Sequence, residues 1–163
     1  FGRQEYGEAP CLRGGPSSKQ APLARDTAWA MSEENVEIVR NFYAMIDRGD
    51  PEAWELLPAD FVIDLSRRLI DPVMLRGPDE MRAFYRDLDA PWADGARLEV
   101  EELIDAGDKV LVLIRFGGRG KMSGAEVEAL VWNLWTFRDG EPVGWTYFGE
   151  DRAEALEAAG LRE

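Results

Sequence analysis

Between residues 97 and 149 the chain carries four runs rich in β-branched, aromatic and aliphatic residues, at about 97 to 105, 109 to 117, 126 to 138 and 142 to 149. Connections as short as those between them leave no room for a crossover, so the four runs predict an antiparallel meander. Asp105-Ala106-Gly107-Asp108 makes one reversal. Arg138-Asp139-Gly140-Glu141 makes another, because Asp-Gly tolerates positive φ, and Gly117 to Gly124 is a looser glycine-rich connection. Upstream the period changes. Val36, Val39, Tyr43 and Ile46 recur at spacings of three, four and three, which predicts an amphipathic helix from about Ser32, as its N-cap, to Arg48. Asp50-Pro51 opens a shorter helix carrying Trp54 and Leu57, and Pro58 ends it before the strand-like run Phe61 to Leu65. Gly77-Pro78 starts a helix striped by Met81, Phe84, Tyr85 and Leu88, and Asp151 to Ala159 reads as a closing helix. Helices first and a long antiparallel sheet afterwards predict an α+β domain with its helices on one face of a curved sheet.

With 163 residues, one core is expected, over residues 31–163. Residues 1–30, rich in Gly, Pro and Ser and without apolar periodicity, are expected to form a disordered extension. A net charge of −13 repels phosphate backbones and anionic headgroups, so neither nucleic acid nor a membrane surface is an expected partner. There is no histidine, which removes imidazole bases, Ser-His and Cys-His pairs and His-bearing zinc sites. Acid-base chemistry is left to carboxylates, Tyr or Lys. The single cysteine, Cys11, excludes an internal disulfide and a thiolate metal cluster and agrees with a reducing, cytoplasmic setting. No cofactor and no metal is expected.

The succession of a helix, Arg48-Gly49-Asp50, a short helix with Trp54, a strand ending in Asp64, Arg76-Gly77, and Trp135-Thr136-Phe137-Arg138-Asp139-Gly140 resembles the nuclear transport factor 2-like superfamily, and within it the SnoaL-like branch. The ending Asp151-Arg152-Ala153-Glu154-Ala155-Leu156-Glu157-Ala158-Ala159-Gly160-Leu161 is similar to that of many actinobacterial members. The resemblance spans about Met31 to Leu161 and implies a cone-shaped α+β barrel with an apolar pocket at its open end. Members include ketosteroid isomerases, polyketide cyclases, dehydratases and epoxide hydrolases, so the fold leaves the chemistry open.

Candidate site residues follow from both sources. Asp64 falls where the resembling isomerases carry their proton-abstracting aspartate, a role that a raised carboxylate pKa would suit; alternatively it pairs with Arg67 or Arg68. Asn133 shares its strand parity with Val127, Ala129, Val131, Trp135 and Phe137, so a lone amide sits on an apolar face. It either donates to a ligand oxygen or is satisfied by Tyr43, Asp64 or water. Related SnoaL-like sequences often have histidine there. The isomerases' oxyanion-holding tyrosine falls on Phe42, and Tyr43, one residue on, lines the pocket or joins the core. Trp54, Trp135, Trp145 and Tyr147 are candidate lining for a flat, mostly apolar small molecule. Arg115, taken with Leu111 and Leu113 as facing the interior, binds an anionic group or pairs across the sheet with Glu126 or Glu128. Leu130, Trp132 and Leu134 form an apolar cluster on the opposite parity, expected to serve a homodimer. Three classes of function remain: an isomerase, cyclase or dehydratase with Asp64 as base and Asn133 holding an enolate; a binding module without chemistry; and a dimeric interaction domain.

Overall fold

The computed structural model describes residues 20–162, with side chains from Trp29 onward. Helix α1 spans Gln20–Asp47, and a 3-10 helix, Pro51–Leu56, follows from an Asp50 N-cap whose carboxylate accepts the Glu52 N–H. Strands β1 (Val62–Asp64) and β2 (Met74–Arg76) lead into helix α2 (Gly77–Asp89). The meander is β3 (Arg97–Asp105), β4 (Lys109–Arg119), β5 (Glu126–Arg138) and β6 (Glu141–Gly149), and helix α3 (Arg152–Ala158) closes the chain. These match the expected runs closely. Only β2, three residues long, was not read from the sequence.

Helix α1 starts well before Ser32. Of the segment expected to lack structure, residues 1–19 lie outside the described residues and residues 20–30 belong to α1. Ala21, Leu23, Ala24, Arg25, Ala28 and Ala30 are good helix formers, and Pro22 falls in the first turn, where its missing N–H costs nothing. Ser32 is therefore a mid-helix residue. It is buried, and its hydroxyl donates to the Asp105 carboxylate, while Asn35 Nδ2 donates to the Gly107 carbonyl at 3.3 Å. The two side chains tie α1 to the β3–β4 hairpin.

The sheet has the order β2-β1-β6-β5-β4-β3 and is antiparallel except where β1 runs parallel to β6. It is curved and unclosed, with β2 and β3 as edges. The parallel pairing depends on Gly144, since a Cβ there would lie 2.4 Å from the Val62 carbonyl oxygen. The inner face carries Val110, Val112, Ile114, Trp135, Phe137 and Trp145 and packs on Val39, Phe42, Tyr43 and Met45 of α1. Phe42 sits at the centre of an aromatic cluster, its ring 5.2 Å from that of Trp135 and 5.7 Å from those of Trp54 and Trp145.

The outer face is not open at its α3 end. Trp132 and Leu134 are 4% and 5% exposed, packed with Leu111 and Phe148 under Ala155 and Leu156 of α3 and its C-cap Ala159. The expected apolar docking cluster is thus largely an internal contact, and of its three residues only Leu130 is exposed. Among the described residues no helix is long and apolar enough to cross a membrane.

Candidate functional site

A cavity of about 180 Å³ lies on the inner face of the sheet, under α2. Its wall takes Ile63 and Leu65 from β1 and its end, Phe84, Tyr85 and Leu88 from α2, and Leu98, Ile114, Phe116, Ala129, Val131, Trp145 and Tyr147 from the meander. Two polar side chains stand out on this apolar wall, Asn133 deep within it and Arg68 at a partly exposed position. The helix is positioned by Gly77, whose φ of +75° turns β2 into α2 and whose N–H donates to the Phe61 carbonyl at 2.8 Å.

Asn133 is 7% exposed. Its Nδ2 donates to Tyr43 Oη at 3.2 Å, and Trp135 Nε1 donates to the same oxygen at 3.1 Å. The Asn133 Oδ1 has no partner among the described residues. The two ends of a carboxamide exchange by a half-turn, and in the exchanged orientation the Tyr43 hydroxyl donates a hydrogen bond to Oδ1. That makes a continuous chain, Trp135 to Tyr43 to Asn133, with an amide N–H left unpaired. In either orientation one end of the amide is held by Tyr43 and the other is buried without a partner, on a residue that lines the cavity.

Tyr43 is fully buried behind Asn133 and belongs to the core. Burial pushes its phenol pKa well up, against the lowering effect of hydrogen bonds from Trp135 and Asn133, and burial does the same to Tyr85, helped by Tyr43. Both phenols stay protonated at neutral pH and act as hydrogen-bonding groups rather than bases.

Tyr147 lines the cavity opposite Asn133, its register partner across β5 and β6. The ladder slips between Trp132 and Asn133, where Trp132 faces Gly149 and Asn133 faces Tyr147. Tyr147 faces in with Trp145, and Phe148 faces out beneath α3, as alternation along a strand requires. Trp135 is fully buried in the aromatic cluster, not on the cavity wall, while Trp145 belongs to both.

Besides Tyr43 and Trp135, three more expected site residues lie off the cavity wall. Asp64 is not on the cavity wall: Ile63 and Leu65 are, and Asp64 has the opposite parity. Its Oδ1 accepts Ser66 Oγ–H at 2.6 Å and Ser66 N–H at 3.0 Å. Those bonds, the hydroxyl's foremost, hold its pKa below the ordinary value, the reverse of what a general base on a carbon acid wants. Arg115 faces outward. Its Nε donates to Glu101 at 2.6 Å and its Nη1 to Glu128 at 3.3 Å, and the bond to Glu101 raises its pKa while lowering that of Glu101. The inward residues of β4 are Val110, Val112, Ile114 and Phe116; Leu111, taken as a marker of the interior, packs on the α3 side. Trp54 packs 5.0 Å from Tyr85 and lines a second, more open cavity of about 600 Å³ beside α2. That second space is walled by mixed charges, several already paired, as Arg48 is with Asp50 and Arg82 with Glu55.

Sequence reasoning named Arg68 only as an alternative partner of Asp64, and it passed over Phe84 and Tyr85 as cavity lining. Phe84 and Tyr85 were read as helix stripe for the core, and the stripe does face inward, but over a void. Arg68 sits in a connection without periodicity, and no pattern marks it.

Residues 39–145 match the model of the SnoaL-like domain family. No curated protein matches the chain. Among solved structures, an NTF2-like protein of unknown function from Burkholderia pseudomallei is 24% identical, with a TM-score of 0.60 over 76% of this chain and 95% of that one. A Jannaschia protein named as a SnoaL-like polyketide cyclase is 21% identical, with a TM-score of 0.61 over 80% and 94%. TerC, co-crystallised with polyporic acid, is 21% identical, with a TM-score of 0.60 over 76% and 98%. At these identities the likeness is one of fold. The helices on a curved six-stranded sheet, with a cavity beneath them, and the match over residues 39–145 together establish that the chain belongs to the SnoaL-like family of the NTF2-like fold.

Proposed function

We propose that the protein binds a small, mostly apolar molecule in the cavity under α2 and holds one oxygen of it on Asn133. The observation that carries this reading is the Asn133 amide, fixed at one end by Tyr43 and unpaired at the other on an apolar wall. A buried polar group without a partner costs about 1–3 kcal/mol, and a ligand that supplies the partner recovers that cost. The chain of donors from Trp135 through Tyr43 favours an N–H facing the cavity, hence a carbonyl-type acceptor on the ligand.

Binding is favoured over proton abstraction because, among the described residues, no carboxylate lines the cavity. The isomerase-like alternative requires Asp64 to leave Ser66 and turn across its strand. A homodimer through the outer face has reduced support, since α3 covers Trp132 and Leu134. A reducing, cytoplasmic setting rests on the single Cys11.

Titration followed by the fluorescence of Trp145 and its neighbours tests the proposal with acetophenone and with ethylbenzene, which lacks the oxygen. Wild type is expected to bind acetophenone about tenfold more tightly, and Asn133→Leu to erase the difference. Saturable binding of neither compound overturns the reading, and so does equal binding of both by wild type.

A further inference from the structure

Arg67 and Arg68 are neighbours in sequence that go to opposite sides of the sheet. Arg67 pairs with Glu154 of α3, and its guanidinium carbon lies 4.5 Å from the Phe148 ring centroid. Arg68 belongs to the cavity wall, half-buried, with its guanidinium carbon 5.3 Å from the Phe84 ring centroid. Among the described residues no carboxylate pairs with Arg68, although the chain holds 32 Asp and Glu against 19 Lys and Arg. Of the two nearest acids in sequence, Asp71 makes no ion pair with it, and Asp64 is occupied by the backbone N–H and hydroxyl of Ser66. The same segment is pinned again by the Arg68 N–H, which donates to the Leu65 carbonyl at 3.1 Å. The backbone from Asp64 to Arg68 is therefore fixed by its own hydrogen bonds, and it delivers a cation without an acid partner to an apolar cavity.

We propose that Arg68 binds the anionic group of the cavity's ligand, and that this ligand is a small carboxylate with an apolar body of about one ring. The inference rests on reading the cavity as a ligand site. Phe84 covers a face of the guanidinium, which leaves its N–H edge for the planar, two-point grip that a carboxylate accepts. A cavity of about 180 Å³ sets the size of the body, since an apolar cavity of about 150 Å³ takes up benzene. Burial orders the two polar groups: Asn133, 7% exposed, meets the inner end of the ligand, and the partly exposed Arg68 meets the end nearer solvent. The anionic group thus keeps part of its hydration, which lowers the cost of bringing a charge to the site.

Calorimetric titration with 3-phenylpropanoate and with its uncharged amide, 3-phenylpropanamide, separates the two ideas. Wild type is expected to bind the acid at least about tenfold more tightly than the amide, as a charge-assisted pair requires. Arg68→Gln is expected to abolish that preference, and Arg68→Lys to retain part of it, because a point charge attracts the carboxylate without the fork. Equal binding of acid and amide by wild type overturns the role of Arg68 and leaves the cavity as a site for neutral molecules. A preference for the acid that survives in Arg68→Gln also overturns it. If neither compound binds saturably, the reading of the cavity itself falls.

Discussion

Tyr43 shows how one side chain is both core and site support. Its ring packs 5.4 Å from Phe42 and 5.9 Å from Trp135, and its hydroxyl accepts from Trp135 and Asn133. Because burial raises its pKa, the folded protein holds the phenol proton above the ordinary value of 10.0, while the unfolded chain releases it there. Tyr85 behaves alike. The folded state thus binds more protons than the unfolded state above pH 10, and stability falls as pH rises through that range. Tyr43 is expected to cost about 1.4 kcal/mol between pH 8 and pH 11, and Tyr43→Phe to remove that share from the slope. Urea unfolding at a series of pH values measures this, and a slope unchanged by Tyr43→Phe would count against the assignment. At this scale the sequence was informative only where periodicity had room to work. Asn133 stood out because thirteen residues of β5 give an unambiguous parity. The face of Asp64 was not legible, because β1 has three residues and carries no pattern of its own.

The elements were legible because turn chemistry and period bracket them, yet which face of each is inner was not. Strand β4 is apolar on both sides: Val110, Val112 and Ile114 pack on α1 and the cavity, while Leu111 packs on α3. A strand covered on both faces loses its alternation, so Arg115 was placed inside when it is outside. The same oversight turned Trp132 into a docking residue. Helix α3 is only seven residues long and depends on its Asp151 cap, whose carboxylate accepts the Glu154 N–H at 2.9 Å, and on the Trp132 and Leu134 surface beneath. The Arg152 guanidinium reaches over Trp132 at 6.0 Å. Trp132→Glu is accordingly expected to destabilise the fold by about 3 kcal/mol or more, through lost packing and a buried charge. Leu130→Glu, at an exposed position on the same face, should change stability by only about 0.5 kcal/mol. Denaturant midpoints of the two variants decide the matter: equal and small effects would mean that α3 does not cover Trp132, and would return that face to the role of an interface.

Two electrostatic effects of opposite sign compete over the whole molecule. A net charge of −13 drives self-repulsion, while ion pairs such as Arg82 with Glu55 and Arg119 with Asp94 contribute attraction. The pairs join exposed side chains, with Glu55 and Asp94 about three-quarters accessible, and pairs of that kind are worth roughly 0–1 kcal/mol each. The repulsion acts among all the unpaired carboxylates at once and over longer distances. Its range is set by the Debye length, about 30 Å at 0.01 M salt and about 8 Å at 0.15 M, so at low salt it spans the domain and at physiological salt it reaches only neighbours. Short ion pairs lie inside both lengths and lose less on screening. Added salt should therefore relieve more repulsion than it removes attraction, and the thermal midpoint at pH 7 is expected to rise by several degrees from 0.01 M to 0.15 M sodium chloride. Differential scanning calorimetry across that range reads the sign directly, and a midpoint that falls with salt would show the arginine pairs, rather than the acidic excess, to dominate the electrostatics of this fold.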